Sequence, residues 1–241
     1  MPDVERLKGY AENGDPQAAY TLGRVYYTGD GVPQNYREAL KWFKLVAEKG
    51  FDRAQYSLGL MYANGKGVNK SDAEAVRWYR LAADQGNVGA QLNLGNMYAN
   101  GRGVKKSDAE AVRWWRLAAD QGNMSAQNNL GLMYANGKGI DADHYEALRW
   151  FKLAADQGSA DAQCNLGGMY ANGKGIDADH YEALRWFKLS AEQGNTGAQY
   201  NLGMMYEKGV GVEKDVKEAK RWYQLAAKQK HEKAIAALLR L

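Results

Sequence analysis

Apolar positions along the chain recur with a helical period, and the helical pattern itself recurs every 36 residues. Within 51–86, apolar side chains at i, i+4, i+7 and i+8 mark one face of a first helix: Ala54, Leu58, Met61 and Tyr62. A second helix follows, and its packing face consists of Ala75, Tyr79 and Ala82. Self-similarity of this length indicates a helical repeat protein, in which each helix pair buries its apolar face against the next pair.

The repeat is visible in single residue types. Alanine recurs at 18, 54, 90, 126, 162, 198 and 234, and tryptophan recurs at 42, 78, 114, 150, 186 and 222. These spacings predict an all-α fold of repeated helix-turn-helix units, as a single domain over 1–241. The expected parts are a half-repeat at 3–17, a C-terminal capping helix at 234–241, and six full repeats: 18–53, 54–89, 90–125, 126–161, 162–197 and 198–233.

Capping residues predict where the helices begin and end. First helices are preceded by an N-cap acceptor: Asp15, Asn87, Asn123, Ser159 and Asn195. Second helices open with a capping box: Asn35/Glu38, Ser71/Glu74, Ser107/Glu110, Asp143/Glu146, Asp179/Glu182 and Asp215/Glu218. Left-handed C-caps are expected at Gly50, Gly86, Gly122, Gly158 and Gly194. Lys230 replaces this glycine in the last repeat, so we expect the last turn to differ from the others.

The repeat also resembles a known family. Leu58, Gly59, Tyr62, Ala75, Tyr79 and Ala82 have the order and spacing of the tetratricopeptide signature. The string Leu-Gly-x-Met-Tyr-x-x-Gly-x-Gly-Val, followed by Glu-Ala-x-x-Trp-Tyr/Phe and Ala-Ala-x-Gln-Gly, resembles the Sel1-like repeat family over essentially the whole chain. The resemblance implies a right-handed α-solenoid with first helices on a concave face. It also implies protein-interaction and adaptor roles, many of them in bacteria. Some secreted relatives carry a disulfide in each repeat, for which this chain lacks the cysteines.

Composition and charge limit the classes of partner and the location that can be expected. Hydrophobic residues make up 45% and charged residues 25% of the chain, which suits a packed core. The net charge of +4, from 32 basic and 28 acidic residues, is too balanced to favour nucleic acid. Apolar runs are too short to predict membrane insertion, and the N-terminal residues do not have the apolar segment of a signal peptide. Because Cys164 is the one cysteine, a reducing, cytoplasmic location is expected.

The sequence gives little support for a nucleic-acid, metal, cofactor or catalytic site. Arg77 and its equivalents follow a glutamate by three residues, which predicts helical ion pairs and argues against a nucleic-acid stripe. His144 and His180 lie one repeat apart, too far to share a zinc ion whose bonds are about 2 Å long. The glycines of Gly65-x-Gly67 are interpreted as a turn, and Gly59 as a point where the partner helix approaches closely. We therefore expect no metal, no cofactor and no catalytic site, because no nucleophile–base pair can be assembled.

Differences between near-identical copies point to a working face. Repeats 54–89 and 90–125 differ at eight positions, and repeats 126–161 and 162–197 differ at seven. Several of these changes fall on one stripe of the first helix, opposite the packed face: Tyr56/Leu92, Ser57/Asn93, Leu60/Asn96, Asn128/Cys164 and Leu132/Gly168. In tetratricopeptide-like solenoids this stripe lines the groove. Drift at exposed positions is the alternative explanation.

The stripe has a chemistry of its own. Asparagine recurs in two columns, each able to donate to and accept from the backbone of an extended chain. Apolar side chains lie between them, and few charges are expected there beyond Arg24 and Arg53, so a mostly neutral peptide or protein element is expected. The candidate binding residues are Tyr20, Arg24, Arg53, Tyr56, Leu60, Asn64, Leu92, Asn93, Asn96, Asn100, Asn128, Asn129, Leu132, Asn136, Cys164, Asn165, Asn172, Tyr200, Asn201 and Met204.

The function predicted from the sequence is a non-catalytic scaffold or adaptor that binds a protein or peptide partner in its groove. The alternative is a dedicated inhibitor or immunity-type protein that grips one folded partner. A hydrolase, which has been proposed for some secreted relatives, has the least support. Self-association through the terminal helices and an engineered consensus origin stay open.

Overall fold

The computed structural model describes residues 4–241, which form fourteen α-helices joined by turns. Terminal helices α1 and α14 span Val4–Glu12 and Glu232–Arg240. The first helices of the six repeats are α2 (Pro16–Thr28), α4 (Asp52–Asn64), α6 (Val88–Asn100), α8 (Met124–Asn136), α10 (Ala160–Asn172) and α12 (Thr196–Lys208). The second helices are α3 (Tyr36–Ala47), α5 (Asp72–Asp84), α7 (Asp108–Asp120), α9 (His144–Asp156), α11 (His180–Glu192) and α13 (Val216–Lys228).

The all-α prediction is confirmed, since every element within residues 4–241 is a helix or a turn. The predicted half-repeat 3–17 begins at Asp3, which lies outside the described residues. The chain divides into two compact units, Met1–Gln121 and Gly122–Leu241. Inside each unit, a first helix packs against the second helix of its own repeat and against that of the preceding repeat, as α4 does with α5 and α3 and α10 does with α11 and α9.

The tryptophan column is buried and joins neighbouring repeats. Trp114 packs into a cluster formed by α5 and α6, and Trp222 packs into the equivalent cluster of α11 and α12. Both rings therefore belong to the core between one repeat and the next, as predicted from their spacing. Burial of these large rings is a main source of cohesion between repeats.

In each first helix, one mid-helix glycine packs directly against an aromatic ring. A Cβ atom on Gly23 would lie 2.7 Å from the ring of Phe43, and one on Gly95 would lie 2.5 Å from Trp115. The same arrangement recurs at Gly59, Gly131, Gly167 and Gly203. The close approach expected from the sequence is confirmed, and the group that approaches is a ring of the second helix.

The N-caps are confirmed, but the capping boxes form only one of their two hydrogen bonds. Ser71 Oγ accepts from the N–H of Glu74 at 3.2 Å, while the N–H of Ser71 donates to the carbonyl of Tyr62 at 3.0 Å. The carboxylate of Glu74 pairs instead with Arg77, at 3.2 Å. The cap thus ties the second helix to the end of the first helix, which a local motif could not indicate.

The last turn keeps the conformation of the others, contrary to expectation. Lys230 adopts a φ of 65°, in the left-handed region where the equivalent Gly194 has a φ of 88°. Its N–H donates to the carbonyl of Ala227 at 2.8 Å, and the next N–H, of His231, donates to Ala226 at 3.2 Å. The hydrogen bonds of the turn therefore impose the left-handed conformation on a lysine.

A buried glutamine column links successive helices, and sequence reasoning missed it. Gln91 is 3% exposed, and its Nε2 donates to the carbonyl of Ala83 at 3.2 Å. Its Oε1 accepts from Gln121 Nε2 at 2.8 Å. Equivalent glutamine pairs are Gln55 with Gln85, Gln127 with Gln157, Gln163 with Gln193, and Gln199 with Gln229. The sequence contains a signal for this column, an Ala-Gln pair that recurs every 36 residues from 54 to 199.

Candidate binding surface on the first helices

The candidate residues form what we call the first-helix stripe: positions 53, 56, 57, 60 and 64 of α4 and their equivalents in the other first helices. The structure brings them together in two sets, one in each compact unit. The set in the first unit is Tyr20, Arg24, Arg53, Tyr56, Leu60, Asn64, Leu92, Asn93, Asn96 and Asn100. The set in the second unit is Asn128, Asn129, Leu132, Asn136, Cys164, Asn165, Asn172, Tyr200, Asn201 and Met204.

The outer asparagine column is exposed and held in one orientation. In each of four first helices the Nδ2 of the last residue donates to the carbonyl four residues earlier, at 2.7–2.8 Å: Asn64, Asn100, Asn136 and Asn172. Because the amide nitrogen is engaged within the helix, the side-chain oxygen is pre-positioned as an acceptor. Arg24, Arg53 and Leu132 are also exposed.

The inner column is half-buried, and part of it already has protein partners. Asn165 Nδ2 donates to Asn128 Oδ1 at 3.0 Å, and Asn128 is buried. Asn93 lies near the hydroxyl groups of Tyr56 and Tyr79. Asn129 and Asn201 occupy the same column and are half-buried. In the neighbouring column, Asn96 Oδ1 accepts from the indole Nε1 of Trp115 at 3.1 Å.

Aromatic members of the stripe pack between helices. The Tyr56 ring lies against Gly89 of the next first helix, where a Cβ would be 2.8 Å away, and burial raises the pKa of its hydroxyl. Tyr20 lies 5.6 Å from the ring of Phe43, and Tyr200 stacks on His231 at 4.7 Å. These rings are therefore half-buried by contacts between helices.

Cys164 is half-buried in the same column as Tyr56. Burial raises the pKa of its thiol to about 11, so the thiol stays protonated at neutral pH. Protonation keeps it a poor nucleophile. Leu60, Leu92 and Met204 are half-buried apolar members of the stripe.

A cavity of about 270 Å³ opens on the stripe between α10 and α12. Its apolar lining includes Phe187, Met204 and Met205, and its polar lining includes Asn172, Asn201 and Lys208. Gly168 has no side chain to occupy this space, whereas the equivalent position of the preceding repeat carries Leu132. The exchange Leu132/Gly168 was noted in the sequence, but the cavity was not predicted.

The charge on the stripe is higher than the sequence suggested. Lys208 lines the cavity beside Asn201, and Lys230 and Lys233 line a second hollow that also touches Asn201. The expectation that little charge lies there beyond Arg24 and Arg53 is therefore wrong for the second unit. Lys208 is visible in the sequence as the sixth-repeat member of the outer column, whereas Lys230 and Lys233 are brought beside the end of the stripe by the turn after α13.

The arginines of the second helices are paired, as predicted. Arg149 and Arg185 each contact a glutamate three residues earlier, at 3.2 and 2.9 Å. Their guanidinium groups also lie about 5 Å above the neighbouring tryptophan rings, for example Arg149 over Trp150 at 5.0 Å. Arg80 donates to the hydroxyl of Tyr98.

Within residues 4–241, no group of three histidine, cysteine or carboxylate side chains is placed to hold a metal ion. None of the helices in this range combines the length and the apolar character needed to cross a bilayer. His144 and His180 are the first residues of α9 and α11, as expected.

Helix pairs stacked at a fixed period, with a variable stripe on the first helices, define an α-solenoid repeat scaffold. Six segments match the Sel1 repeat, at 16–51, 52–87, 88–123, 125–159, 160–195 and 196–231, and the chain belongs to the Sel1 repeat family. Sel1 repeats generally mediate protein–protein interactions and are generally non-catalytic. No curated protein matches the chain.

Solved structures share the fold. The protective antigen c5321 of uropathogenic Escherichia coli is 38% identical with a TM-score of 0.92, over 99% of this chain and 51% of c5321. The chain thus spans about half the length of that relative. A Sel1 repeat protein from Oxalobacter formigenes is 37% identical with a TM-score of 0.78, over 88% of this chain and 85% of its own. The immunity protein PA5088 of Pseudomonas aeruginosa is 19% identical with a TM-score of 0.51, over 91% and 83%.

Proposed function

We propose that this chain is a bacterial, cytoplasmic adaptor that binds an extended segment of a protein partner along the first-helix stripe, without catalysis. The outer asparagine column is the observation that carries the proposal. Each amide is tied to its own helix and presents an acceptor at a repeating interval, so little side-chain entropy is lost when a partner backbone binds. The single-domain organisation over 1–241 is part of the same proposal.

The test removes the outer column in the second unit. Asn136→Ala combined with Asn172→Ala should lower affinity for the partner about tenfold, because two neutral hydrogen bonds of about 0.5–1.5 kcal/mol each are lost. These residues are preferable to Asn129 and Asn165, because Asn165 supports the buried Asn128. The partner is captured from a lysate on immobilised protein, identified by mass spectrometry and titrated by calorimetry.

The matched control lies on the second helices. Arg149→Ala combined with Arg185→Ala removes two exposed, ion-paired side chains and should change affinity less than about threefold. If the arginine pair abolishes binding and the asparagine pair leaves it intact, the partner binds the second helices and the proposal is wrong.

The inhibitor or immunity-type alternative is separated by the same titration. It requires a folded partner, so affinity would be lost when that partner is unfolded or replaced by its linear segments. Retention of affinity by a linear segment supports the adaptor. Self-association through α1 and α14 is measured by light scattering of the same samples.

A further inference from the structure

Gly168 has no structural task that requires glycine. Its neighbour Gly167 receives the ring of Phe187, with a Cβ contact of 2.8 Å, whereas a Cβ on Gly168 would meet no atom within 4 Å. Its φ also lies outside the left-handed region, so any residue fits the backbone there. A glycine in a helix interior costs about 1 kcal/mol relative to alanine, with no compensation here except the open space itself.

The space has the size of one large side chain. Its volume of about 270 Å³ lies just below the range of drug-sized pockets, about 300–1,000 Å³, and exceeds the roughly 150 Å³ cavity that is enough to bind benzene. Phe187, Met204, Met205 and Val210 are among the apolar residues that line it. Methionine side chains adapt their shape, which favours an unbranched or γ-branched apolar occupant.

The rim of the cavity is positively charged. Lys208 occupies the sixth-repeat position of the outer column, where repeats two to five have asparagine. None of the described residues that line the cavity carries a carboxylate. Nearby, Lys230, Lys233 and Glu232 line the hollow on the other side of Asn201, where the two lysines outnumber the carboxylate, while Glu207 is engaged by Arg240 and Tyr223. An acidic group beside the apolar side chain would therefore be complementary in charge.

We propose that the cavity between α10 and α12 is a specificity pocket for a leucine- or methionine-sized side chain of the partner, with an acidic residue next to it in sequence beside Lys208. This inference rests on the proposed function and adds the chemistry of the segment. The two columns of asparagine contact a backbone of any sequence, whereas the Gly168 pocket selects one side chain. Repeats four and five would then have the same scaffold and different roles, because repeat four presents the exposed side chain of Leu132 at the position where Gly168 has none.

The test uses blocked dipeptides and the methionine methyl groups of the pocket. The protein is labelled with carbon-13 at methionine methyls, and the Met204 and Met205 signals are assigned by single methionine-to-leucine substitutions. The probes are Ac-Leu-Asp-NH2, Ac-Leu-Asn-NH2 and Ac-Ala-Asp-NH2. Ac-Leu-Asp-NH2 should shift both signals with a dissociation constant in the millimolar range, as expected for so small a ligand. Ac-Ala-Asp-NH2 should bind at least about fivefold more weakly, since it lacks most of the apolar contact.

Gly168→Leu should weaken Ac-Leu-Asp-NH2 at least about tenfold by filling the pocket, and the open space around the Cβ lets the variant fold. Folding is checked by its thermal melt. The control is Arg149→Ala on α9, an exposed and ion-paired side chain outside the stripe, which should leave the Met204 and Met205 titration unchanged. Lys208→Gln should lower the affinity for Ac-Leu-Asp-NH2 about threefold, to the affinity measured for Ac-Leu-Asn-NH2. The affinity for Ac-Leu-Asn-NH2 itself should not change.

Several results would overturn the inference: no saturable shift with Ac-Leu-Asp-NH2, equal binding of the alanine probe, or undiminished shifts in folded Gly168→Leu. If the aspartate and asparagine probes bind the native chain equally well, the proposal of an acidic residue beside Lys208 is wrong. The captured partner separates the two proposals. If Gly168→Leu keeps full affinity while the Asn136/Asn172 pair loses it, the pocket assignment fails and the adaptor function stands. If the Arg149/Arg185 pair alone abolishes binding, the adaptor function fails, while the methyl titration still reports on the pocket.

Discussion

Lys230 adopts a backbone conformation that the other repeats assign to glycine. For a residue with a Cβ atom the left-handed region costs about 1–2 kcal/mol, so the last repeat carries strain that its neighbours avoid. Lys230→Gly should therefore stabilise the C-terminal end by about 1 kcal/mol. Hydrogen exchange of the α13 and α14 amides, together with urea unfolding, measures this gain.

Gly194 provides the matched control, because it occupies the same turn one repeat earlier with a φ of 88°. Gly194→Lys should destabilise the protein by about the amount that Lys230→Gly stabilises it. If Lys230→Gly has no effect or a destabilising one, the turn tolerates the lysine without strain and the argument fails.

At the level of one helix, α10 contains two adjacent glycines with opposite roles. A Cβ atom on Gly167 would lie 2.8 Å from the Phe187 ring, whereas one on Gly168 would point into open space. Gly168→Ala should stabilise the protein by about 1 kcal/mol through helix propensity. Gly167→Ala should destabilise it by about 1–3 kcal/mol, since the buried ring has to shift. Urea unfolding of the two variants measures the difference, and equal effects would show that the ring yields to a methyl group.

At the scale of the whole molecule, stability should follow the number of repeats. Inside each unit, the strong contacts of a described first helix are with the second helix of its own repeat and that of the preceding repeat, so the energy is expected to be a sum over neighbours. Deleting 162–197 places repeat 198–233 after 126–161, which differs from the deleted copy at seven positions. The shortened chain should keep its helical circular dichroism per residue and unfold at lower urea. Loss of helical signal would contradict the additive repeat description.

Two compact units appear in the structure, whereas the sequence predicts one domain over 1–241. The single-domain organisation stays a prediction, and it can be checked in the same unfolding experiments. A single cooperative transition seen by circular dichroism and by tryptophan fluorescence would support it.

The sequence by itself determined the repeat period, the helix starts, the burial of the tryptophan column and the ion pairs of the second helices. These features depend on local hydrogen bonds or on a strict period, and both can be recognised along the chain. The two columns of asparagine were located in the same way, although their hydrogen-bond partners were not.

Only the tertiary structure decided which distant side chains meet. The ring of Phe187 on Gly167, the chain of Gln121 to Gln91 to Ala83, and the cavity beside Gly168 each join residues from different helices. Lys230 was misjudged for the same reason, because the hydrogen bonds of its turn outweigh the preference of one residue. Such outcomes depend on volumes and distances between helices, and a period along the chain contains neither.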